Sequence, residues 1–250
     1  MNMLKIRDVA EYLNELYPEI TAEEWDNPGL NVGNSDDSLK GICLALDADE
    51  QVIRFASDND LNLIITHHPL LFNPVKQIRK NTFPGNMIYN LIKNDISLYS
   101  LHTNADCADN GVNKVFAEKI KLKNTRVLKE NGLGIVGDTE DMELKNFVQY
   151  LKSVLNDNNI KFSGSQNKSI KKVALTCGAG CESVLIDSAD VYITSEIKHN
   201  YLIDYKIYGM AFIDIGHFTM EYPFMENLKL ILSNEFQNLK IKIAGENPFN

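Results

Sequence analysis

Four of the five histidines in the 250-residue sequence follow short apolar segments of the kind that form buried β-strands. His67 and His68 follow L-N-L-I-I-T, His102 follows I-S-L-Y-S-L, and His217 follows A-F-I-D-I-G. Open α/β sheets place their functional sites at the carboxyl ends of their strands. Neutral imidazole suits Zn, Fe, Mn or Ni better than Mg or Ca, so the pattern predicts a transition-metal site.

Carboxylates accompany two of these histidines at a fixed spacing. Asp106 lies four residues after His102, and Glu221 lies four residues after His217. If the chain turns into a helix after each strand, this offset brings both side chains of a pair to one face. Together with the adjacent histidine pair, the set exceeds the three protein ligands of one catalytic zinc. We therefore expect two divalent metal ions, which Glu221 or Asp106 could bridge.

The adjacent pair His67 and His68 needs the chain to bend, because neighbours on a regular strand point to opposite faces. Pro69 ends the strand and favours an extended or turn conformation at His68. We therefore expect both imidazoles to lean over the sheet edge toward one cleft. The alternative is a surface histidine pair at the end of a strand.

Two alternatives to a metal site are a purely structural role for the histidines and acids and a catalytic cysteine. The histidines and acids could cap strands and form ordinary surface ion pairs, although two converging lobes argue against this. A cysteine nucleophile is disfavoured because Cys107, next to Asp106, has no nearby base that a metal would not claim. Cys177 and Cys181 form a C-x-x-x-C without a second cysteine pair, which favours small buried side chains over a metal site.

The elements that position the histidines follow a β-α-β pattern. Apolar runs at 41–47, 61–69 and 96–102 alternate with helical segments at 50–59 and 87–93. Strands of this length between helices predict an α/β fold with mostly parallel or mixed sheets flanked by helices.

The second half of the chain repeats this plan. Runs at 171–177, 190–196 and 210–217 match the three strands, and 182–188 matches the first helix between them. The repeat predicts two similar α/β lobes with the metal site in the cleft between them.

The lobes are assigned by the same pattern. The first spans 1–125 and is completed by 222–250, and the second spans 126–221. Residues 124–138, rich in glycine, are expected to form the connection between the lobes.

The charge and hydrophobicity of the chain indicate which partners and which compartment to expect. A net charge of -9 argues against a protein that binds nucleic-acid backbone, because phosphate neutralisation needs a basic surface. No apolar run approaches the roughly 20 residues that cross a bilayer, so no membrane partner is expected. The N-terminus lacks the pattern of a signal peptide, and four scattered cysteines fit reduced thiols, so we expect a cytoplasmic protein.

The motifs in their order resemble one known family, the dinuclear-metal proteins labelled GTP cyclohydrolase 1 type 2 homologues, or interacting-factor-like proteins. The resemblance covers essentially the whole chain. It rests on W-D-N-P-G-L at 25–30, T-H-H-P-L-L-F at 66–72, H-T-N-A-D at 102–106, G-H at 216–217 with Glu221, and N-P-F at 247–249.

The resemblance implies roles for individual residues. The implied ligands are His67 and His217 for one ion, His68 and Asp106 for the other, and Glu221 as the bridge. His102 becomes a residue beside the metals that either supports a ligand or acts as the catalytic proton-transfer group. The resemblance also implies assembly of the chain as a homo-oligomeric ring, often a hexamer.

The predicted function is metal-dependent hydrolysis of a small molecule that is nucleotide-like, phosphorylated or heterocyclic. The candidates for substrate contact are Trp25, Asp26, Asn104 and Glu196. Trp25 has an alternative role as a core residue, because a single tryptophan is more often buried. The alternative function is a metal-binding scaffold or regulatory partner-binding protein without turnover.

Overall fold

The structure, a computed structural model, describes residues 3–180 and 189–248. The predicted helix at 182–188, and Cys181, lie outside the described residues. The described chain divides into two units, of which the first is Met1–Ala105 with Met225–Asn250 and the second is Asp106–Phe224.

Helices and strands alternate through most of the described chain. The helices are α1 (Ile6–Leu16), α2 (Glu50–Asp58), α3 (Gly85–Lys93), α4 (Thr103–Asp106), α5 (Val112–Lys119), α6 (Leu144–Leu155), α7 (His199–Lys206) and α8 (His217–Glu235). The strands are β1 (Gly29–Val32), β2 (Ile42–Ala45), β3 (Leu63–Thr66), β4 (Ser97–Ser100), β5 (Lys123–Val127), β6 (Ile135–Glu143), β7 (Lys161–Ser163), β8 (Ser169–Leu175), β9 (Val191–Thr194), β10 (Ala211–Asp214) and β11 (Ile241–Ile243).

The first unit is built on a five-stranded sheet in the order β1-β4-β3-β2-β11. Strands β11, β2, β3 and β4 pair in parallel, and β1 pairs antiparallel with β4. Every residue of β2, β3 and β4 is buried, as expected for parallel strands covered on both faces. The strands predicted at 41–47, 61–69 and 96–102 are therefore confirmed.

Helix α2 shows how the sequence sets up this packing. Asp49 caps its first turn, because the Asp49 carboxylate accepts a hydrogen bond of 2.7 Å from the backbone N–H of Val52. The buried side chains of α2 then pack in one cluster with Ile64 of β3 and Leu98 of β4. The helix therefore covers the sheet whose strand ends carry the predicted ligands.

The second unit is built on a six-stranded sheet in the order β5-β6-β8-β9-β10-β7. Strands β8, β9 and β10 pair in parallel, and β7 pairs antiparallel with β10. The series β7 to β10 thus has the same strand order and directions as the series β1 to β4 in the first unit. The predicted fold of two similar α/β lobes with mixed sheets is confirmed.

Residues 124–138, predicted to connect the lobes, contain a β-hairpin. Strand β5 and the first half of β6 lie there and pair antiparallel as a hairpin. The turn contains Asn131-Gly132, and Gly132 has a φ of +88°, which glycine adopts without strain. Both α5 and β5 lie in the second unit, whereas the sequence pattern placed the boundary between the lobes after residue 125, within β5.

No helix within the described ranges is both long enough and apolar enough to cross a membrane.

We predict that Gly33→Ala destabilises the protein more than Gly245→Ala. Both glycines belong to the first unit and have positive φ, +108° and +90°, so an alanine costs about 1–2 kcal/mol at either position. At Gly33 the added Cβ would also lie 2.8 Å from the Cα of Ser97, whereas at Gly245 its nearest neighbour is 3.7 Å away. We expect about 1–3 kcal/mol more loss for Gly33→Ala from this overlap. Urea denaturation followed by tryptophan fluorescence measures the difference, and equal losses would contradict the predicted overlap.

Candidate metal centre

The end of β3 brings two imidazoles together in the first unit. The backbone N–H groups of His67 and His68 donate hydrogen bonds to the carbonyls of Ala45 and Leu46, at 3.3 and 2.9 Å. The two rings lie with their centroids 4.9 Å apart at an interplanar angle of 50°. The neighbouring side chains therefore lie side by side past the strand end, as the position of Pro69 predicted.

His102, which follows β4, completes a cluster of three imidazoles. Its ring centroid lies 5.3 Å from that of His67 and 5.8 Å from that of His68. One ring nitrogen from each residue lies within 4.8 Å of the others, a spacing that a metal ion can span. His67 is buried and the other two are half-buried, so the cluster opens to solvent on one side.

Each imidazole of this cluster is oriented through its Nδ1 atom. The Nδ1–H of His67 donates to the backbone carbonyl of Leu101 at 2.7 Å. That of His68 donates to the carboxylate of Asp47 at 3.0 Å. Carbonyl and carboxylate oxygens only accept hydrogen bonds, so the proton is assigned to Nδ1 and the lone pair to Nε2.

His102 is held by the most enclosed of these contacts. Its Nδ1–H donates to Asp26 Oδ1 at 2.7 Å, and Asp26 Oδ2 accepts from both the N–H and the hydroxyl of Thr103, at 3.0 and 2.5 Å. The Asp26 side chain is 0% exposed. Burial of the Asp26 carboxyl opposes its ionisation, but the hydrogen bonds from His102 and Thr103, with the charge of His102, outweigh this effect. They hold the pKa of the Asp26 carboxyl well below its ordinary range.

The second unit carries a histidine whose Nδ1 also donates to a carboxylate, and a second carboxylate lies at its Nε2. His217 is the first residue of α8, and its Nδ1–H donates to Glu196 Oε1 at 2.8 Å. Its Nε2 lies 3.0 Å from Oε1 of Glu221, one helical turn later. The prediction that the four-residue offset places this pair on one helix face is confirmed.

Space beside this pair is kept open by a glycine. Gly178 has a φ of +68°, and a Cβ at this position would lie 2.9 Å from Glu221 Oε1 and 3.6 Å from His217 Nε2. Any other residue would therefore occupy the volume next to both ligand atoms. The two donors and the clear space suit a bound cation.

Asp106, also in the second unit, lies at the end of α4 and adjoins a cavity of about 190 Å³ that Lys114 and Arg126 also line. Its backbone carbonyl accepts a hydrogen bond of 2.9 Å from Asn113. Burial raises the pKa of the Cys177 thiol, and the carboxylates of Glu221 and Asp106 raise it further. The carboxylates of Asp106 and Glu221 therefore both lie close enough to Cys177 to raise the pKa of its thiol. Cys177 is a buried, neutral side chain, as predicted.

The hydrogen bonds that the histidines share indicate whether these residues fit a metal ion. All four strand-end histidines use Nδ1 to donate to an oxygen. In His67, His68 and His102 this leaves the lone pair on Nε2. In His217, Nε2 shares a proton or a cation with Glu221 Oε1 at 3.0 Å. Protein ligands of metals have this arrangement, because the second hydrogen bond fixes the tautomer and aims the ring. Imidazole nitrogens with carboxylates and no thiolate suit Zn, Fe, Mn or Ni in a site with open positions. The residues fit the metal chemistry that the sequence implied.

The candidates for substrate contact occupy varied environments. Trp25 is 57% exposed, so its alternative assignment to the core is wrong. Asn104 is buried, accepts from the N–H of His102 at 2.9 Å and donates to the carbonyl of Tyr17 at 2.8 Å. Asp26 and Glu196 orient histidines through their carboxylates. Substrate contact by Asp26, Asn104 and Glu196 stays a prediction.

Two contributors were not predicted from the sequence. Asp47 had a usable signal, because it is the acid that ends the predicted apolar run at 41–47. The carbonyl of Leu101 had none, since every residue carries one. Both fix the orientation of imidazoles in the first unit.

Comparison with known proteins identifies relatives over nearly the full chain. Residues 4–248 match the family described as Duf34/NIF3 (NGG1p interacting factor 3). A relative from Clostridium perfringens, named GTP cyclohydrolase 1 type 2 homolog, is 35% identical across 98% of this chain and 99% of its own length. The resemblance predicted from the motifs is confirmed.

Solved structures agree with this result. The crystal structure of Staphylococcus aureus hypothetical protein SA1388 aligns with a TM-score of 0.92 at 31% identity, covering 100% of this chain and 99% of that one. Reduced HcgD from Methanocaldococcus jannaschii aligns with a TM-score of 0.85 at 30% identity, covering 97% and 98%. The similarity spans both units.

We predict that Asp26→Asn removes stability in a pH-dependent manner. The pKa of Asp26 is lowered in the folded state from its ordinary value of 3.8, so its contribution is present above that value and is lost as the pH falls below it. We expect a loss of about 1–3 kcal/mol at pH 7 that shrinks toward zero below pH 3.8. The measurement is urea unfolding of metal-free protein between pH 3 and 7, followed by fluorescence of Trp25.

The control is Asp36→Asn, since Asp36 pairs with Arg7 and Lys5 on the surface and is 62% exposed. Its effect should stay within about 1 kcal/mol at every pH. A loss for Asp26→Asn that is the same at pH 3 and pH 7 would contradict the assigned ionised carboxylate.

Proposed function

The chain belongs to the Duf34/NIF3 family, and from that premise we propose that it is a hydrolase dependent on two divalent metal ions. Its substrate is a small molecule that is nucleotide-like, phosphorylated or heterocyclic. The relative named GTP cyclohydrolase 1 type 2 homolog supports the direction of this proposal through its name alone.

The observation that carries the proposal is the shared orientation of the histidines. Four imidazoles, from both units, direct Nδ1 to a carbonyl or carboxylate and so aim Nε2 at a cation or, for His102, at an exchangeable proton. A histidine that serves only as a surface group has no need for this second contact. Four repetitions at strand ends are difficult to explain by packing alone.

The proposed ligand set leaves His102 for proton transfer. The residues that would hold the ions are His67, His68, Asp106, His217 and Glu221. The support for Glu221 as a ligand is its burial, because a carboxylate with 2% exposure needs compensating positive charge.

The bound ions would supply Lewis acidity and lower the pKa of a water molecule to about 7. The chain's own contribution is orientation and proton transfer. His102 presents the lone pair of Nε2, because Asp26 holds the proton on Nδ1. Its imidazole can therefore accept a proton from the attacking water and return it to the leaving group.

Asp26 is the positioning residue in this scheme. Its second oxygen is bound by Thr103, which prevents the carboxylate from turning away from His102. Three hydrogen bonds thus set the direction of one imidazole before any substrate arrives. Preorganisation of this kind removes reorganisation from the reaction step.

Metal analysis tests the ligand set. We expect about two equivalents of metal per chain in the purified protein, as implied by the count of N and O donors. His68→Ala and Glu221→Gln should each lower this content, measured by inductively coupled plasma mass spectrometry. The control is His199→Ala, since His199 is the exposed first residue of α7 and should leave the content unchanged. Unchanged metal in both ligand variants would refute the set.

Turnover tests the hydrolase proposal. Protein loaded with Mn, Zn or Fe is assayed with p-nitrophenyl phosphate, its diester and GTP. His102→Ala should lower kcat by about 10²- to 10⁴-fold while metal content stays constant, because it removes a proton-transfer group. His199→Ala is again the control.

The scaffold alternative has a distinct outcome in the same assay. If no substrate is hydrolysed above the rate of metal-free protein, the metals serve structure or regulation. Ring assembly and a cytoplasmic location stay predictions.

A further inference from the structure

A cavity of about 700 Å³ adjoins the histidine cluster within the first unit. Its lining runs from the metal-ligand candidate His68 and Asp47 to Phe72, Lys76, Phe83 and Pro84. A volume of this size holds a ligand larger than a phosphate ion, since small-molecule sites occupy about 300–1,000 Å³. The cavity therefore extends the candidate centre away from the histidines.

Aromatic rings on this side of the unit are unusually exposed. Phe72 is 48% exposed and Phe83 is 75% exposed, although both are large and apolar. Trp25 lies beside Phe72, with the two ring centroids 5.6 Å apart at an angle of 57°. Phe72 in turn lies 6.2 Å from the ring of His102, edge to face. The exposed apolar area thus continues from the cavity to the histidine cluster.

The charged groups that line the cavity differ in whether they have a partner within the protein. Asp49 is used in the cap of α2, and Asp47 accepts the Nδ1–H of His68. Lys76 pairs with no carboxylate anywhere in the described part of the chain. The nearby Lys80, in contrast, lies 4.4 Å above the ring of Tyr89. Among the described residues, Lys76 is thus a cation without an internal counterion, in a cavity whose two acids are already engaged.

We propose that this cavity binds an aromatic or heteroaromatic ring that carries a phosphate-type anion. The ring lies against Phe72 and Phe83, because aromatic rings gain from edge-to-face and offset contacts beyond burial alone. The anion pairs with Lys76. The inference rests on the proposed function, which it deepens by naming the substrate class, and the reacting bond faces His68.

Binding of a compound that cannot be hydrolysed tests the inference without turnover. Phenylphosphonate is the probe, cyclohexylphosphonate replaces the aromatic ring at the same charge, and benzamide replaces the anion. Trp25 is the chain's only tryptophan, so its fluorescence reports directly on the neighbourhood of Phe72. Titrations use the full chain as purified and again after chelation, with calorimetry as a second readout.

We expect saturable binding of phenylphosphonate that is about 3- to 10-fold tighter than that of cyclohexylphosphonate, with or without metal. Phe83→Leu should weaken phenylphosphonate by a similar factor and remove the preference for the aromatic ring. Lys76→Gln should weaken both phosphonates and leave benzamide unchanged. The matched controls, Phe162→Leu and Lys161→Gln of β7 in the second unit, should have no effect.

The proposal is overturned if the two phosphonates bind equally, if binding does not saturate, or if Lys76→Gln leaves phosphonate affinity unchanged. Binding that disappears on chelation also overturns it, because the probe would then be a metal ligand only. Absence of turnover in the hydrolase assay leaves these binding results intact, so the two proposals fail separately. Circular dichroism of each variant shows that it is folded.

Discussion

The hydrogen bond from an imidazole Nδ1–H to an oxygen acceptor is the interaction on which the candidate centre depends. An unconstrained imidazole rotates and can expose either nitrogen, whereas the contact at Nδ1 holds each strand-end histidine in one orientation. The acceptors Asp26, Asp47, Leu101 and Glu196 belong to different connections of the two sheets. The sheets therefore serve two purposes. Their strand ends carry the histidines, and their connections carry the hydrogen-bond acceptors that orient the imidazoles.

Much of this arrangement could be predicted from the sequence because the relevant physics is local. Parallel strands buried on both faces require continuous apolar runs, so β2, β3 and β4 were visible in the sequence, as was the repeated plan in the second half. The contact between His217 and Glu221 was predictable because a four-residue offset on a helix has a known geometry. The positions of the ligand candidates along the chain followed from these two rules.

The acceptors could not be predicted because they depend on distant parts of the chain. Asp26 and His102 are 76 residues apart, and nothing in the sequence near Asp26 marks it as a partner of an imidazole. The hairpin of β5 and β6 was missed because β5, K-N-T-R-V, is polar and exposed and lacks the buried pattern of the parallel strands. The exposure of Trp25 likewise contradicts the ordinary tendency of a single tryptophan to be buried.

The discontinuous composition of the first unit has a consequence for biosynthesis. Its sheet includes β11, which pairs with β2 across almost 200 intervening residues, whereas the second unit is one continuous stretch of chain. A ribosome therefore delivers the whole second unit before the strand that covers β2 exists. Until then, the edge of β2 carries unpaired N–H and C=O groups that can recruit other chains. The edge of β2 is thus open to misassembly while the second unit is synthesised, and the arrival of β11 ends this interval.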